Sequence, residues 1–270
     1  MMELLGLKSI LIIALIFIPL ERLLPLHPEQ KVFRRHWLND VIYLFFNGIL
    51  IKLGLLLVVG SLMIAIRVMI PEQGLPAYVQ AQPIWLQAIE VILIADLGFY
   101  LAHRAFHSVP LLWKFHAIHH SIEEMDWLAA HRVHPVDQIA TMTASLLPIF
   151  ALGFSGSAVA IYALLYQAQS LLIHSNTRIS LGPLKWLFAS PQFHHWHHAN
   201  ERQAFDKNFA GQLSFIDVLA GTLYMPSRMP TGYGTDEPVP PLYHQQLAYP
   251  IKMQTHRAST SEAQISEKAR

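Results

Sequence analysis

Residues 100–120 read YLAHRAFHSVPLLWKFHAIHH and place five histidines directly after an apolar run. Two of them are four residues apart, and the other three have the spacing i, i+3, i+4. They are His103, His107, His116, His119 and His120. Residues at these spacings lie on one face of a helix. The stretch therefore predicts helical segments that each direct a row of imidazoles to one side.

A second histidine-rich stretch, SPQFHHWHHAN, follows at residues 190–200. Its His194, His197 and His198 repeat the spacing i, i+3, i+4. The two stretches together offer eight imidazoles at helical spacing, whereas four ligands saturate tetrahedral zinc. Imidazole suits zinc, copper, iron and nickel. We therefore predict a site for two metal ions, and we favour iron because zinc has no redox chemistry.

The composition favours a membrane protein. Of the 270 residues 53% are hydrophobic and only 14% are charged, whereas about a quarter are charged in an ordinary soluble domain. Cysteine is absent, which excludes disulfides, Cys-ligated iron–sulfur clusters and zinc ribbons, so nitrogen and oxygen must hold any metal. The net charge is +1 and there is no dense basic block. We therefore predict no nucleic-acid partner.

Four apolar runs approach or exceed the roughly 20 residues that cross a bilayer. They are residues 4–20, 41–66, 84–102 and 139–173. The first predicts an uncleaved membrane anchor. The last is too long for one crossing at about 1.5 Å per residue, and it contains the breaker sequence GFSGS at 153–157. It predicts a hairpin of two helices, with Pro148 near the bend.

The basic residues predict the orientation of these runs in the membrane. Three of them lie between positions 31 and 35, before the second run, whereas residues 71–83 after it contain no Lys or Arg. Positive charge favours the cytoplasmic side. On that basis the third run returns the chain to the cytoplasmic face at His103, and the hairpin returns it to the same face at His174. We therefore predict that both histidine stretches meet there.

Several segments resemble the fatty acid hydroxylase and sterol desaturase superfamily of membrane di-iron oxygenases. HRAFH, HAIHH and HHWHH resemble its HxxxH, HxxHH and HxxHH boxes. AAHRVHPVDQ, IHSN and NFAGQLSFIDVLAGTLYMP resemble the segments that follow the second box, close the hairpin and follow the third box. The resemblance covers roughly residues 85–230. One departure is Ile216 before Asp217, where the family often has tryptophan.

The resemblance implies an all-α fold: a multi-pass transmembrane helical bundle with a cytoplasmic helical cap that holds a histidine-rich dimetal site. It implies nine metal ligands: His103, His107, His116, His119, His120, His174, His194, His197 and His198. Some relatives have a further histidine where this chain has Ser170. We therefore add His131 and His134 as supplementary candidates. His195, which lies off the three-residue spacing, is a further candidate, either as a ligand or as a partner of one. Ligating histidines usually donate their second N–H to a polar partner, and we expect Asp96, Asp137 and Asn176 to serve in this way.

The predicted domains are an N-terminal membrane anchor at 1–83, a catalytic domain at 84–230 and a polar C-terminal tail at 231–270. The last part of that tail, residues 252–270, has the composition of a disordered segment.

The resemblance implies an O₂-dependent iron oxidoreductase that hydroxylates or desaturates a lipid, either sterol-like, fatty acyl or related. The expected cofactor is two iron ions, with zinc as an alternative occupant in a purified sample. No catalytic residue is predicted apart from the metal ligands. The chain has no cysteine cluster and no Gly-rich dinucleotide fingerprint, so we expect a separate electron carrier and reductase.

Three alternatives stay open. The first is an ether-lipid or carotenoid monooxygenase of the same superfamily. The second is a membrane metal-binding or metal-transport protein, which would place its ligands near the bilayer midplane rather than at the ends of apolar runs. The third is an inactive family member with a structural metal.

Overall fold

The computed structural model of the chain describes residues 6–69 and 74–251. Within these residues the fold is helical, and extended structure is limited to two isolated bridges. The α-helices are α1 (Leu7–Leu23), α2 (Trp37–Ile42), α3 (Gly48–Met69), α4 (Leu75–Ala81), α5 (Ile84–Ser108), α6 (Pro110–His120), α7 (Pro135–Ala151), α8 (Gly156–His174), α9 (Pro191–His197) and α10 (Phe215–Ala220). A π-helical turn, Tyr43–Asn47, joins α2 to α3. The predicted all-α class is confirmed.

Three helical stretches are long and apolar enough to cross a membrane: Trp37–Met69, Ile84–Ser108 and Gly156–His174. They correspond to the second and third predicted runs and to the second half of the predicted hairpin. The predicted anchor forms α1, but this helix has only 17 residues and is not among the three stretches. On α3, large apolar side chains such as Leu56 and Leu57 are exposed. Such a surface suits contact with lipid tails rather than water.

The predicted hairpin is formed by α7 and α8. Pro148 lies one turn before the end of α7, and Gly153 then adopts φ +76°, a conformation that glycine reaches without steric cost. The Ser155 side chain accepts a hydrogen bond from the backbone N–H of Ala158 and caps the start of α8. These residues reverse the chain as the sequence predicts.

Helix α5 lies at the centre of the bundle and packs against α6, α7 and α8. Its Val91 and Ala95 share an apolar core with Ile149 of α7 and Val159 of α8. Close packing of α5 against α7 depends on Gly98, because a Cβ there would clash with the Ala144 carbonyl oxygen. The bundle thus brings the C-terminal ends of α5 and α8 to the same end of the molecule.

Buried ion pairs join the region around α2 to the segment between α6 and α7. Arg34 donates to both oxygens of Asp126 and to Asp40. Arg132 donates to Asp40 as well. Charges are buried in this way only when they are paired and hydrogen-bonded.

The predicted C-terminal tail packs onto the bundle as far as the structure describes it. Residues 243–251 are helical, Gln246 accepts a hydrogen bond from Asn39, and Tyr249 packs with Tyr43 in a buried apolar cluster. The disorder predicted for 252–270 lies outside the described residues.

Candidate metal centre

Helices α5, α6, α8 and α9 bring nine imidazoles together in two groups. The five-histidine group consists of His103, His107, His116, His120 and His197. The four-histidine group consists of His119, His174, His194 and His198. Within each group the candidate ligand nitrogens all lie within 4.8 Å of one another. These are the nine histidines that the sequence analysis gives as ligands.

The two groups adjoin each other because α6 and the α9 region supply both. On α6, His120 faces one group and His119 the other, with ring centroids 5.9 Å apart. His198 stacks on His120 across the boundary at 4.6 Å. Two ions held by these groups would therefore be neighbours inside one histidine cluster.

Backbone carbonyls fix the orientation of two rings in the five-histidine group. Nδ1 of His103 lies 2.7 Å from the Phe209 carbonyl oxygen, and Nδ1 of His197 lies 2.8 Å from that of Lys207. A carbonyl only accepts hydrogen bonds, so each Nδ1 carries the proton. Each Nε2 then has a free lone pair directed into the group.

The same reasoning applies to the four-histidine group, and it has a sharper consequence there. His119 Nδ1 donates to the Arg132 carbonyl at 3.0 Å, and His174 Nδ1 donates to the Ser170 carbonyl at 2.7 Å. The two Nε2 atoms face each other at 3.3 Å with no proton between them. Opposed lone pairs repel at this distance unless a cation lies between or beside them, which is the arrangement of a metal site.

Burial keeps the imidazoles in the form that binds metals. Burial first, and then the neighbouring imidazoles, hold the pKa values of His116, His120, His194 and His197 well below the usual range. Among the described atoms, Nε2 of His107 is buried without a hydrogen-bond partner. A neutral ring with a free lone pair can bind a metal ion. Four and five such donors fit two metal ions that accept nitrogen, and iron is one of these.

Of the three residues expected to orient ligands, Asp137 contacts one of the nine histidines. Its Oδ2 lies 2.7 Å from Nδ1 of His116, and both side chains are buried. A carboxylate in this position fixes the tautomer and raises the basicity of the ligating nitrogen.

The expectations for Asp96 and Asn176 need correction. Asp96 accepts hydrogen bonds from the backbone N–H groups of residues 211–213, because the segment after α9 packs against that face of α5. Asn176 exchanges hydrogen bonds with the backbone of His27 and so holds the N-terminal segment. Neither side chain hydrogen-bonds a histidine of the two groups.

The supplementary ligand candidates lie outside both groups. Both ring nitrogens of His195 have other partners, the Tyr233 hydroxyl at 2.7 Å and the Ser175 carbonyl at 3.1 Å. His134 caps the first turn of α7 with its ring. His131 lies in a short 3₁₀ turn before α7. The four-histidine group has its four donors without them.

Sequence reasoning missed the residues that act through their backbone. The carbonyls of Lys207, Phe209 and Arg132 orient three of the imidazoles, and a carbonyl leaves no signal in residue type. A weak signal was available at Arg132. Its position between two histidines, in a chain with few charges, is unusual, and its side chain pairs with the buried Asp40.

A family model described as fatty acid hydroxylase matches residues 88–222, which include all nine histidines. The chain is 32% identical over 171 residues to the ornithine lipid hydroxylase OlsE of Rhizobium tropici, which covers 62% of this chain and 52% of that protein. It is 34% identical over 161 residues to the alkylglycerol monooxygenase of Homo sapiens, covering 60% and 34%.

A third relative is the very-long-chain aldehyde decarbonylase GL1-1 of Oryza sativa, 32% identical over 153 residues, with 52% of this chain and 24% of that protein covered. The match thus spans about half the length of the ornithine lipid hydroxylase and less of the other two. No solved structure gives a significant match to the chain.

Proposed function

This chain belongs to the fatty acid hydroxylase family, and from that premise we propose that it is a membrane-bound di-iron oxygenase that hydroxylates a lipid. The observation that carries the proposal is the opposed pair of Nε2 atoms on His119 and His174, 3.3 Å apart, with both Nδ1 protons given to carbonyls. Nine buried imidazoles in adjacent groups of four and five extend the same arrangement.

In this proposal the two groups hold one iron ion each. The bound ions would supply the activation of O₂ and the removal of hydrogen from an unactivated C–H bond. The protein's share is to hold, orient and shield them. Trp113 and Phe209 pack against His107, with ring centroids 5.2 Å and 5.1 Å from its ring, and exclude water from that side.

The substrate is a lipid that arrives from the bilayer. The helices that carry His103 and His174 at their C-terminal ends meet the length and composition of membrane spans, and Leu97 and Leu101 of α5 are exposed on the span. A lipid chain beside these helices is within reach of the histidine end without leaving an apolar environment. Hydroxylation is favoured over desaturation because two relatives are named hydroxylase and monooxygenase. An ether lipid is one option for the substrate.

Two further parts of the proposal concern the surroundings. The basic residues at positions 31–35 favour a cytoplasmic position for the metal centre. Electrons come from a separate carrier and reductase, since the chain has no cysteine and no dinucleotide fingerprint.

The test uses the full chain, purified in detergent, loaded with iron and supplied with a reductant, O₂ and extracted membrane lipids. We expect about two iron ions per chain and a lipid product heavier by one oxygen atom, detected by mass spectrometry. His119→Ala and His197→Ala, one in each group, should abolish the product. His244→Ala is the matched control, because His244 is exposed and outside both groups.

Two results would contradict the proposal. Fewer than two bound ions per wild-type chain would contradict the presence of a dimetal site. Two bound ions, no oxidised lipid, and movement of metal across the membrane of vesicles that contain the protein would together favour the transport alternative. The position of the histidines at the ends of α5 and α8 rather than along them argues against transport.

A further inference from the structure

Loop 207–213, between α9 and α10, reaches the five-histidine group through two backbone carbonyls as well as through the Phe209 ring. The Lys207 carbonyl accepts the Nδ1 proton of His197, and the Phe209 carbonyl accepts that of His103. Two ligands on different helices, α9 and α5, therefore take their orientation from one loop. The proposed function gives these two carbonyls no role.

Two buried aspartates hold this loop from the side opposite the histidines. Asp217 accepts the N–H groups of Phe209 and Ala210, both at 2.8 Å. Asp96 accepts the next three N–H groups, those of residues 211–213, at 2.7–3.0 Å. Both carboxylates are at most 1% exposed. Five successive backbone N–H groups, those of residues 209–213, thus donate to two buried carboxylates.

One peptide group links Asp217 directly to a ligand. The N–H of Ala210 and the C=O of Phe209 belong to the same planar peptide, in which they point in opposite directions. The N–H points to Asp217, and the C=O points to Nδ1 of His103. A charged acceptor at one end polarises the peptide and strengthens the hydrogen bond at the other. The Nε2 of His103 becomes more basic as a result.

The Lys207 carbonyl is held in a related way. The next N–H, that of Asn208, donates to the Thr222 carbonyl at 3.0 Å, and the Thr222 hydroxyl donates to Asp217 at 2.6 Å. Asp217 therefore supports, through hydrogen bonds, both of the loop carbonyls that orient His103 and His197.

We propose that Asp217 is a positioning residue for the metal ion of the five-histidine group, acting through loop 207–213, with Asp96 as the second support of that loop. The proposal rests on the ligand set of the proposed function. It is selective, because the carbonyls that orient His119 and His174 in the four-histidine group belong to Arg132 and Ser170, outside the loop.

The experiment measures the two sites separately, with cobalt(II) as the probe. The full chain in detergent is stripped of metal with a chelator and titrated with cobalt(II) in competition with a coloured chelator, while the visible spectrum of the bound cobalt is followed. Four and five nitrogen donors give cobalt(II) different spectra, so each site has its own signature. Asp217→Asn replaces one carboxylate oxygen by an N–H₂ donor, which cannot accept from the loop.

We expect Asp217→Asn to weaken one cobalt site about 10–100-fold, the usual loss when a partner of a ligating histidine is removed, and to leave the other site unchanged. Asp96→Asn should weaken the same site to a smaller extent. Thr222→Val removes one neutral donor to Asp217 and gives a milder form of the effect, which keeps the test available if Asp217→Asn does not accumulate.

The matched control is Glu201→Gln. Glu201 also accepts a backbone N–H and a threonine hydroxyl, both from Thr231, but that segment orients no ligand. Glu201→Gln should leave the cobalt affinity of both sites unchanged. Equal weakening of both sites by Asp217→Asn, or no weakening by any of these variants, would overturn the inference. Failure of the wild-type protein to bind two cobalt ions would instead count against the proposed function.

Discussion

At the scale of single residues, the proposed metal centre depends on which nitrogen of each ring carries the proton. His103, His119, His174 and His197 each give the Nδ1 proton to a backbone carbonyl. These carbonyls do not titrate, and they hold four rings with Nε2 directed into the two groups. A backbone carbonyl is present whatever the side chain of its own residue, so these tautomers do not depend on the residue types at positions 132, 170, 207 and 209.

His116 differs from these rings because its Nδ1 partner is a carboxylate, Asp137, at 2.7 Å. We predict that Asp137→Asn weakens metal binding at the five-histidine group about 10–100-fold. The amide lacks the charge, and when its N–H₂ faces the ring it forces the proton onto Nε2, where the metal would bind. Zinc titration against a competing chelator measures the change.

Asp206→Asn is the control for this prediction. Asp206 lies 3.4 Å from Nδ1 of His107, but its side chain is 72% exposed, so water screens its charge. We expect little change in zinc affinity. Equal affinities for the Asp137 and Asp206 variants would show that the buried carboxylate has no special role.

The limits of sequence reasoning are visible at this scale. Spacing predicted which histidines share a helix face, and the structure gathers those same residues into two groups. Spacing could not predict the partner of Asp96, because the loop that binds it lies 115 residues further along the chain. It could not predict the carbonyl of Phe209 either, since every residue has one.

At the scale of elements, the contact of α5 with α7 holds the hairpin against the helix that carries His103 and His107. Gly98 is a point of close approach, and its missing side chain lets the Ala144 carbonyl lie against α5. We predict that Gly98→Ala lowers stability by about 1–3 kcal/mol, as overpacking typically does, because a backbone atom cannot rotate away. The unfolding temperature in detergent measures this.

Gly60→Ala in α3 is the matched control, since a Cβ there meets nothing within 4 Å. Alanine has the higher helix propensity, by about 1 kcal/mol, so stability should be unchanged or higher. If both variants unfold at the wild-type temperature, the close approach at Gly98 has no energetic importance.

Helix ends were more predictable than helix partners. Proline at the first position of α6, α7 and α9 fits the fixed φ that starts a helix. Apolar length predicted the three stretches that could cross a membrane, whereas the predicted anchor, α1, is not among them. The π-helical turn at Tyr43–Asn47 had no such signal. It depends on tertiary contacts, among them the hydrogen bond from the Asn47 amide to the Val133 carbonyl.

At the scale of the whole molecule, the N-terminal segment is part of the scaffold of the site rather than only an anchor. Arg34 binds Asp126 with two hydrogen bonds of 2.7 Å, and both side chains are buried. We predict that Asp126→Asn lowers the free energy of unfolding by about 3–5 kcal/mol, because it leaves Arg34 with too few buried counter-charges. Denaturant unfolding in mixed micelles measures the loss.

The control is the exposed pair of Arg35 and Glu123, 3.0 Å apart with side chains 69% and 58% exposed. Glu123→Gln should change stability by at most about 1 kcal/mol, as exposed ion pairs contribute little. A loss of the same size for both carboxylates would mean that burial of the Arg34 pair does not matter.

The metal ions should link the whole bundle, because each group draws its ligands from three parts of the chain: α5, α6 and α9 for one, and α6, α8 and the α9 region for the other. We predict that chelation lowers the unfolding temperature of the wild-type protein. A ligand at 100 times its Kd adds about 2.7 kcal/mol per site to the stability of the folded state, and its removal also leaves lone pairs opposed, as between His119 and His174. Differential scanning fluorimetry with and without chelator measures the shift. The double variant His119→Ala, His197→Ala should unfold at a temperature that chelation hardly changes, whereas an equal shift in that variant would mean that the chelator acts at some other place than the two groups.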